Sequence, residues 1–254
     1  MTLHRDHSTF TRMERKSKRF QLILLVSLAA NLVAATYFGK KLYTKLQAGS
    51  TAATVPSKPA YYLDRDKLFA VLPKDTGAVV FLGNSLTQYF ELAEMLNNPL
   101  VRNRGIHGDM SEGLLQRLSP IIASQPKKIF IEIGINDLEQ KISKEKFLSN
   151  YQRLIDTLQA NCTNTKIYVQ SLLPVADSSQ RLPSYCSPEM NRLVAEVNNE
   201  LQELANKKGC TYLNVHQHLL KGTELNPLYS VDGVHLSGEG YLQWAKILRP
   251  YVEE

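Results

Sequence analysis

Four short strings carry residue types capable of covalent chemistry, and they stand far apart in the chain. Asp232-Gly233-Val234-His235 places a carboxylate three residues ahead of an imidazole in a loop-forming string. At that spacing the carboxylate can reach Nδ1–H, fix the tautomer and leave Nε2 free to take a proton. Gly83-Asn84-Ser85 sets a serine between an apolar run and a helical pattern, where its hydroxyl lies beside unpaired backbone N–H groups. Gly134-Ile135-Asn136-Asp137 offers the Asn136 amide as a donor to a developing oxyanion. Asn103-Arg104-Gly105-Ile106-His107-Gly108-Asp109 offers Gly105, whose missing side chain lets a backbone N–H approach a ligand. Each string has a plainer reading: serine caps helices, asparagine makes Asx turns, glycine turns the chain, and Asp/His pairs decorate surface turns. Together they supply the nucleophile (Ser85), base (His235), orienting acid (Asp232) and oxyanion donors (Ser85 N–H, Gly105 N–H, Asn136) that acyl transfer needs. That set calls for no metal and no organic cofactor.

Other candidates are weaker. The glycine two places after the serine that an α/β-hydrolase elbow requires is Thr87 here, and no GxxxxGK[ST] phosphate loop exists. His216 and His218 alternate as they would on one side of a strand, without HExxH or acidic partners, so they are expected to be structural. His107 and Asp109 follow Gly105 and would line the mouth of the site. Arg102 and Arg104 flank the same turn, where they would bind an anion or simply form surface ion pairs. Asn161-Cys162-Thr163 fits a glycosylation acceptor, a string that arises often by chance. The three cysteines, Cys162, Cys186 and Cys210, form no CxxC pair, which excludes a disulfide scaffold and a zinc ribbon.

The elements that must position these residues are legible as apolar runs. Val79–Leu82, Ile129–Ile133, Ile167–Leu173 and Tyr212–Val215, with a weaker run at Val101–Ile106, read as strands buried on both faces. Leu86–Leu96, Ser111–Leu118, Lys144–Leu158, Pro188–Ala205 and Tyr241–Leu248 carry apolar residues at helical spacing. About five alternations of strand and helix imply an α/β fold: a three-layer α/β/α sandwich around a mostly parallel five-stranded sheet, flavodoxin-like. In such sheets reactive groups gather beyond the carboxyl ends of the strands, where the four strings fall. The stretch Pro174–Pro188 reads as a long loop placed to shape selectivity.

Charge divides the chain. Its 254 residues hold 30 Lys/Arg and 24 Asp/Glu, a net +6, but residues 1–45 take nine of the basic and two of the acidic side chains, leaving 21 against 22 elsewhere. The body therefore has no field that would attract nucleic acid. Residues 1–19 form a basic cytoplasmic N-terminus. Residues 20–38 contain no charge, and 19 residues of helix at about 1.5 Å each cross a bilayer core of about 30 Å. Basic residues flank this run, six before and three soon after, so it reads as a transmembrane anchor with everything beyond it extracytoplasmic, periplasmic in a Gram-negative cell. A cleaved signal near Ala29–Ala35 is the alternative, and would make the body secreted. Residues 39–60, small, polar and proline-containing, form a flexible linker, and residues 61–254 the catalytic domain.

With these strings in hand, the chain resembles the SGNH (GDSL-type) hydrolases. The resemblance runs from Val79 to the last helix through GNSLT, NRGIHGD, GINDL and DGVHLS, with Asn84 where the first block usually has aspartate. It implies a serine esterase acting through Ser85, Asp232 and His235, with Ser85, Gly105 and Asn136 forming the oxyanion hole. The stretch NRGIHGDMSEGLLQRL followed by IFIEIGINDL is similar to the branch of platelet-activating-factor acetylhydrolase subunits and bacterial carbohydrate O-acetylesterases, which implies short acyl, chiefly acetyl, esters of small molecules or carbohydrates. The other readings are a lysophospholipase or thioesterase using the same site, and a non-catalytic envelope scaffold retaining the fold.

Overall fold

The computed structural model describes residues 27, 31, 34–41, 58–177 and 183–254. They belong to two compact units, Met1–Lys58 and Pro59–Glu254. In the first, residues 34–41 are helical, and Tyr37 and Phe38 meet edge to face at 5.8 Å. Among the described residues no helix is long and apolar enough to cross a membrane. The expected span at 20–38 and linker at 39–60 fall mostly outside them, as do residues 178–182 of the long loop.

The second unit is built on five strands, β1 (Val79–Gly83), β2 (Val101–Gly105), β3 (Lys128–Glu132), β4 (Lys166–Gln170) and β5 (Thr211–Leu213). All pairings are parallel, in the order β2-β1-β3-β4-β5, which is the flavodoxin-like arrangement expected from the alternating pattern. Register brings Gly83 level with Gly105 on one side and Glu132 on the other, so three of the reactive strings leave the sheet at the same height.

The helices are α1 (Ala60–Val71), α2 (Ser85–Gln88), α3 (Leu92–Met95), α4 (Ser111–Gln116), α5 (Ser119–Ser124), α6 (Ile135–Glu139), α7 (Lys144–Asn161), α8 (Pro188–Lys207), α9 (His216–Leu219) and α10 (Gly238–Glu253). The three long ones, α7, α8 and α10, begin at Ser143, Ser187 and Ser237, whose side chains accept from the first-turn N–H groups of Lys146, Met190 and Gly240. The rings of Phe81, Phe130 and Tyr168 stack across three strands at 4.6 and 4.4 Å, and α10 is tied to the sheet by Trp244 Nε1 donating to Gln170 Oε1 at 2.8 Å. Short strands β6 (Leu220–Lys221) and β7 (Glu224–Leu225) form a separate antiparallel pair.

Four expectations change. The single helix over Leu86–Leu96 is two four-residue helices, because Asn103 Nδ2 donates to the carbonyls of Thr87 (2.7 Å) and Phe90 (3.0 Å), which a continuous helix would have used itself. Strand β4 stops at Gln170: beyond it the Asn198 amide clasps Leu172 N–H (2.7 Å) and C=O (3.0 Å), where a neighbouring strand would pair. His216 and His218 lie on helix α9, not on a strand, so a spacing of two turns them to different sides. Helix α1 was not anticipated, since it buries only Tyr62 and Phe69, too few for an apolar stripe.

Candidate active site

Ser85 opens α2 one residue after β1 ends, and the residue is 5% exposed. The turn that aims it is set by Asn84, fully buried, whose Oδ1 accepts from Leu86 N–H at 2.9 Å. Asparagine thus performs the capping that an aspartate at this position could also supply, and its Nδ2 has no partner among the described residues.

The loop before α10 organises itself around Asp232. One carboxylate oxygen accepts from the N–H groups of Val234 (3.0 Å) and His235 (2.8 Å), and the other meets His235 Nδ1 at 2.6 Å. Partial burial raises the Asp232 pKa, but the ring and backbone donors outweigh it and hold the carboxyl below its usual range. His235 Nε2 stands 3.0 Å from Ser85 Oγ. The structure therefore brings Ser85, His235 and Asp232 into one hydrogen-bonded line from segments 150 residues apart. The acid is 47% exposed at its side chain, so its hold on the imidazole is mainly geometric.

Asn136 lies in the first turn of α6, half-buried, with Nδ2 donating to Asp109 O at 2.8 Å. Its neighbour Asp137 is buried and accepts from Ser111 N–H at 3.0 Å; burial pushes its carboxyl up to about 6. The expectation for Gly105 is corrected. Its N–H already donates to Asn103 Oδ1 at 2.9 Å, and a Cβ there would lie 2.4 Å from Gln88 N and 2.8 Å from Asn84 O. Glycine is needed at 105 for close packing beneath the turn that carries Ser85. Three residues on, Gly108 sits at φ +75°, and its N–H has no acceptor among the described residues. Sequence reasoning passed over Gly108 because two glycines in one string carry no sign of which frees its N–H.

Asp109 does not line the mouth. It is buried against Arg117 Nε (2.7 Å), accepts from Tyr62 Oη (2.8 Å), and the same Arg117 donates to Gly83 O (3.1 Å). His107 does reach the rim, pairing through Nδ1 with Tyr89 Oη at 2.9 Å. Arg102 pairs with Asp75, and Arg104 lies over the Phe69 ring at 5.1 Å, so neither faces the serine line. Glu132, level with Gly83, is wholly buried without a partner for either oxygen among the described residues, and burial pushes it up to about 8.

A serine, imidazole and carboxylate in line at the carboxyl edge of a parallel sheet is the geometry of a serine hydrolase. Residues 81–242 match the GDSL-like Lipase/Acylhydrolase family, and the chain belongs to it: the protein is an ester hydrolase. Similar solved structures include a Streptococcus pneumonia protein named provisionally for platelet activating factor (25% identity, 76% of this chain and 92% of that one, TM-score 0.69). A GDSL-like lipase from Bacteroides thetaiotaomicron (23%, 76% and 97%, TM-score 0.65) and an acetyl xylan esterase, AlAXEase (20%, 69% and 99%, TM-score 0.59), share the fold. Among curated proteins, the N-acylneuraminate cytidylyltransferase of Escherichia coli O18:K1:H7 is 26% identical over 168 residues, 64% of this chain, and the match spans only 37% of that relative's length.

Proposed function

We propose that this is a membrane-anchored, extracytoplasmic serine esterase that removes acetyl or other short acyl groups from a carbohydrate or a related small ester. The observation that carries the reading is the line from Ser85 Oγ through His235 to Asp232, with separations of 3.0 and 2.6 Å. Ser85 Oγ attacks the ester carbonyl as its proton passes to His235 Nε2, and Asp232 steadies the imidazolium. The tetrahedral oxyanion accepts from Ser85 N–H, Asn136 Nδ2 and, in place of Gly105, Gly108 N–H. Collapse breaks the bond to the alcohol, which leaves with the proton from His235. Water, deprotonated by the same imidazole, then releases the acid and restores Ser85.

The curated relative named for an acylated sugar, N-acylneuraminate, supports a carbohydrate substrate, although the match spans only 37% of it. The uncharged run at 20–38 with its basic flanks supports the anchor. A p-nitrophenyl ester series tests the acyl preference: activity on acetate that collapses by octanoate is expected, and the reverse order would make the protein a lysophospholipase or thioesterase. Asn136→Ala is expected to lower kcat by about 100- to 1,000-fold. A reporter fused after Glu254 is expected to be active outside the cytoplasm, and cytoplasmic activity would overturn the anchor.

A further inference from the structure

A base that must protonate the leaving oxygen fixes where the alcohol lies, because that oxygen has to sit against its Nε2. Side chains that pack beside the His235 ring therefore stand close to the place of the alcohol. Two aromatic rings do so: Tyr89, with centroids 5.5 Å from His235, and His107, stacked at 6.1 Å and 21°. Tyr61 extends this wall, its ring 5.9 Å from His107 and its hydroxyl donating to His107 O at 3.1 Å. Both tyrosines are exposed, 45% for Tyr89 and 47% for Tyr61, although large aromatic rings are ordinarily drawn inside.

We propose that Tyr61, Tyr89 and His107 form the leaving-alcohol subsite and that it selects a saccharide ring. The C–H faces of a pyranose lie against aromatic rings, and its hydroxyls need partners at the ring edge. His107 supplies one. Its Nδ1 is taken by Tyr89, while Nε2 has no partner among the described residues. Nε2 then donates if Tyr89 donates to Nδ1 and accepts if Tyr89 accepts, and a sugar hydroxyl can answer either. Burial, and then the neighbouring His235, hold the His107 pKa below its ordinary value, so the ring stays neutral beside a base that becomes cationic during turnover. Tyr61 lies outside residues 81–242 that match the family. The inference rests on the esterase reading of Ser85 and His235 but is tested apart from it.

The test uses two acetyl esters that differ only in the alcohol, a methyl glucopyranoside monoacetate and vinyl acetate, with the full-length protein. In Tyr89→Leu the ratio of kcat/KM for the sugar ester to that for vinyl acetate is expected to fall about tenfold, chiefly through KM, with a smaller fall in Tyr61→Leu. Tyr89→Phe, which keeps the ring, is expected to retain most of the ratio. An unchanged ratio, a parallel loss on both esters, or a preference for lysophospholipid over both would overturn the subsite. Saturation-transfer NMR of methyl glucopyranoside on Ser85→Ala separates the two readings. Binding that persists there and is lost on adding Tyr89→Leu supports the subsite even if no ester is cleaved. Hydrolysis of both esters with no Tyr89-dependent sugar signal removes the subsite and leaves the esterase.

Discussion

The two strands flanking β1 lead to opposite electrostatic arrangements around the turn that carries Ser85. Beyond β2, Asp109 is 1% exposed and fully engaged, with Arg117 on one oxygen and Tyr62 on the other. At the end of β3, Glu132 is 0% exposed, with no partner for either oxygen among the described residues. The first is an ion-paired bracket, in which Arg117 and Tyr62 oppose the burial that raises the Asp109 pKa: Arg117 ties Asp109 to Gly83 O, and Asp109 O receives Asn136, so one pair holds both the Ser85 turn and the Asn136 amide. The second is a carboxyl that burial keeps protonated. The difference teaches that this edge tolerates buried acids in two ways, compensation where position must be held and neutrality where it need not be.

Breaking the bracket should cost most. Arg117→Met leaves Asp109 buried and uncompensated, and is expected to lower the unfolding free energy by about 3–5 kcal/mol in urea titration. Adding Asp109→Leu should recover a large part of that loss, because both charges are then gone.

Glu132→Gln sharpens the other side. Burial moves the Glu132 carboxyl from 4.5 to about 8, so between those values the folded chain holds a proton that the unfolded chain has released. Its contribution to stability is therefore complete below about pH 4.5 and is lost as pH rises to about 8, at about 1.4 kcal/mol per pH unit. Relative to the wild type, Glu132→Gln should remove that slope across the window, as read from urea midpoints at a series of pH values. An identical slope in both proteins would mean that Glu132 is charged in the folded state.

Tyr62→Phe is the mildest probe of the bracket. It deletes one donor to a buried carboxylate and is expected to cost about 1–3 kcal/mol, less than loss of Arg117, as measured in the same urea titration.

The contrast between strands and rim also marks what could be read from the chain. Strand runs such as VVFL and IFIEI were legible because a parallel strand is apolar on both faces, and α7, α8 and α10 because each carries apolar residues at helical spacing. The meeting of Ser85 with Asp232 and His235 was legible from their order beside strand ends. What was hidden depends on contacts distant in sequence. Asn103 breaks the helix after Ser85 and occupies the Gly105 N–H, whereas the Gly108 N–H has no acceptor among the described residues, and no local pattern announces an asparagine that does both. Glu132 lay unremarked inside the run Ile129–Ile133, and Asp109 read as lining the mouth of the site, because the Arg117 and Tyr62 that close around it stand in other segments.

The most direct measurement is labelling of the purified full-length protein with a fluorophosphonate, followed by peptide mass spectrometry. The account predicts one adduct per chain, on Ser85, abolished in Ser85→Ala and reduced by several orders of magnitude in rate in His235→Ala. A folded protein that takes no label, or takes it on another residue, would contradict it.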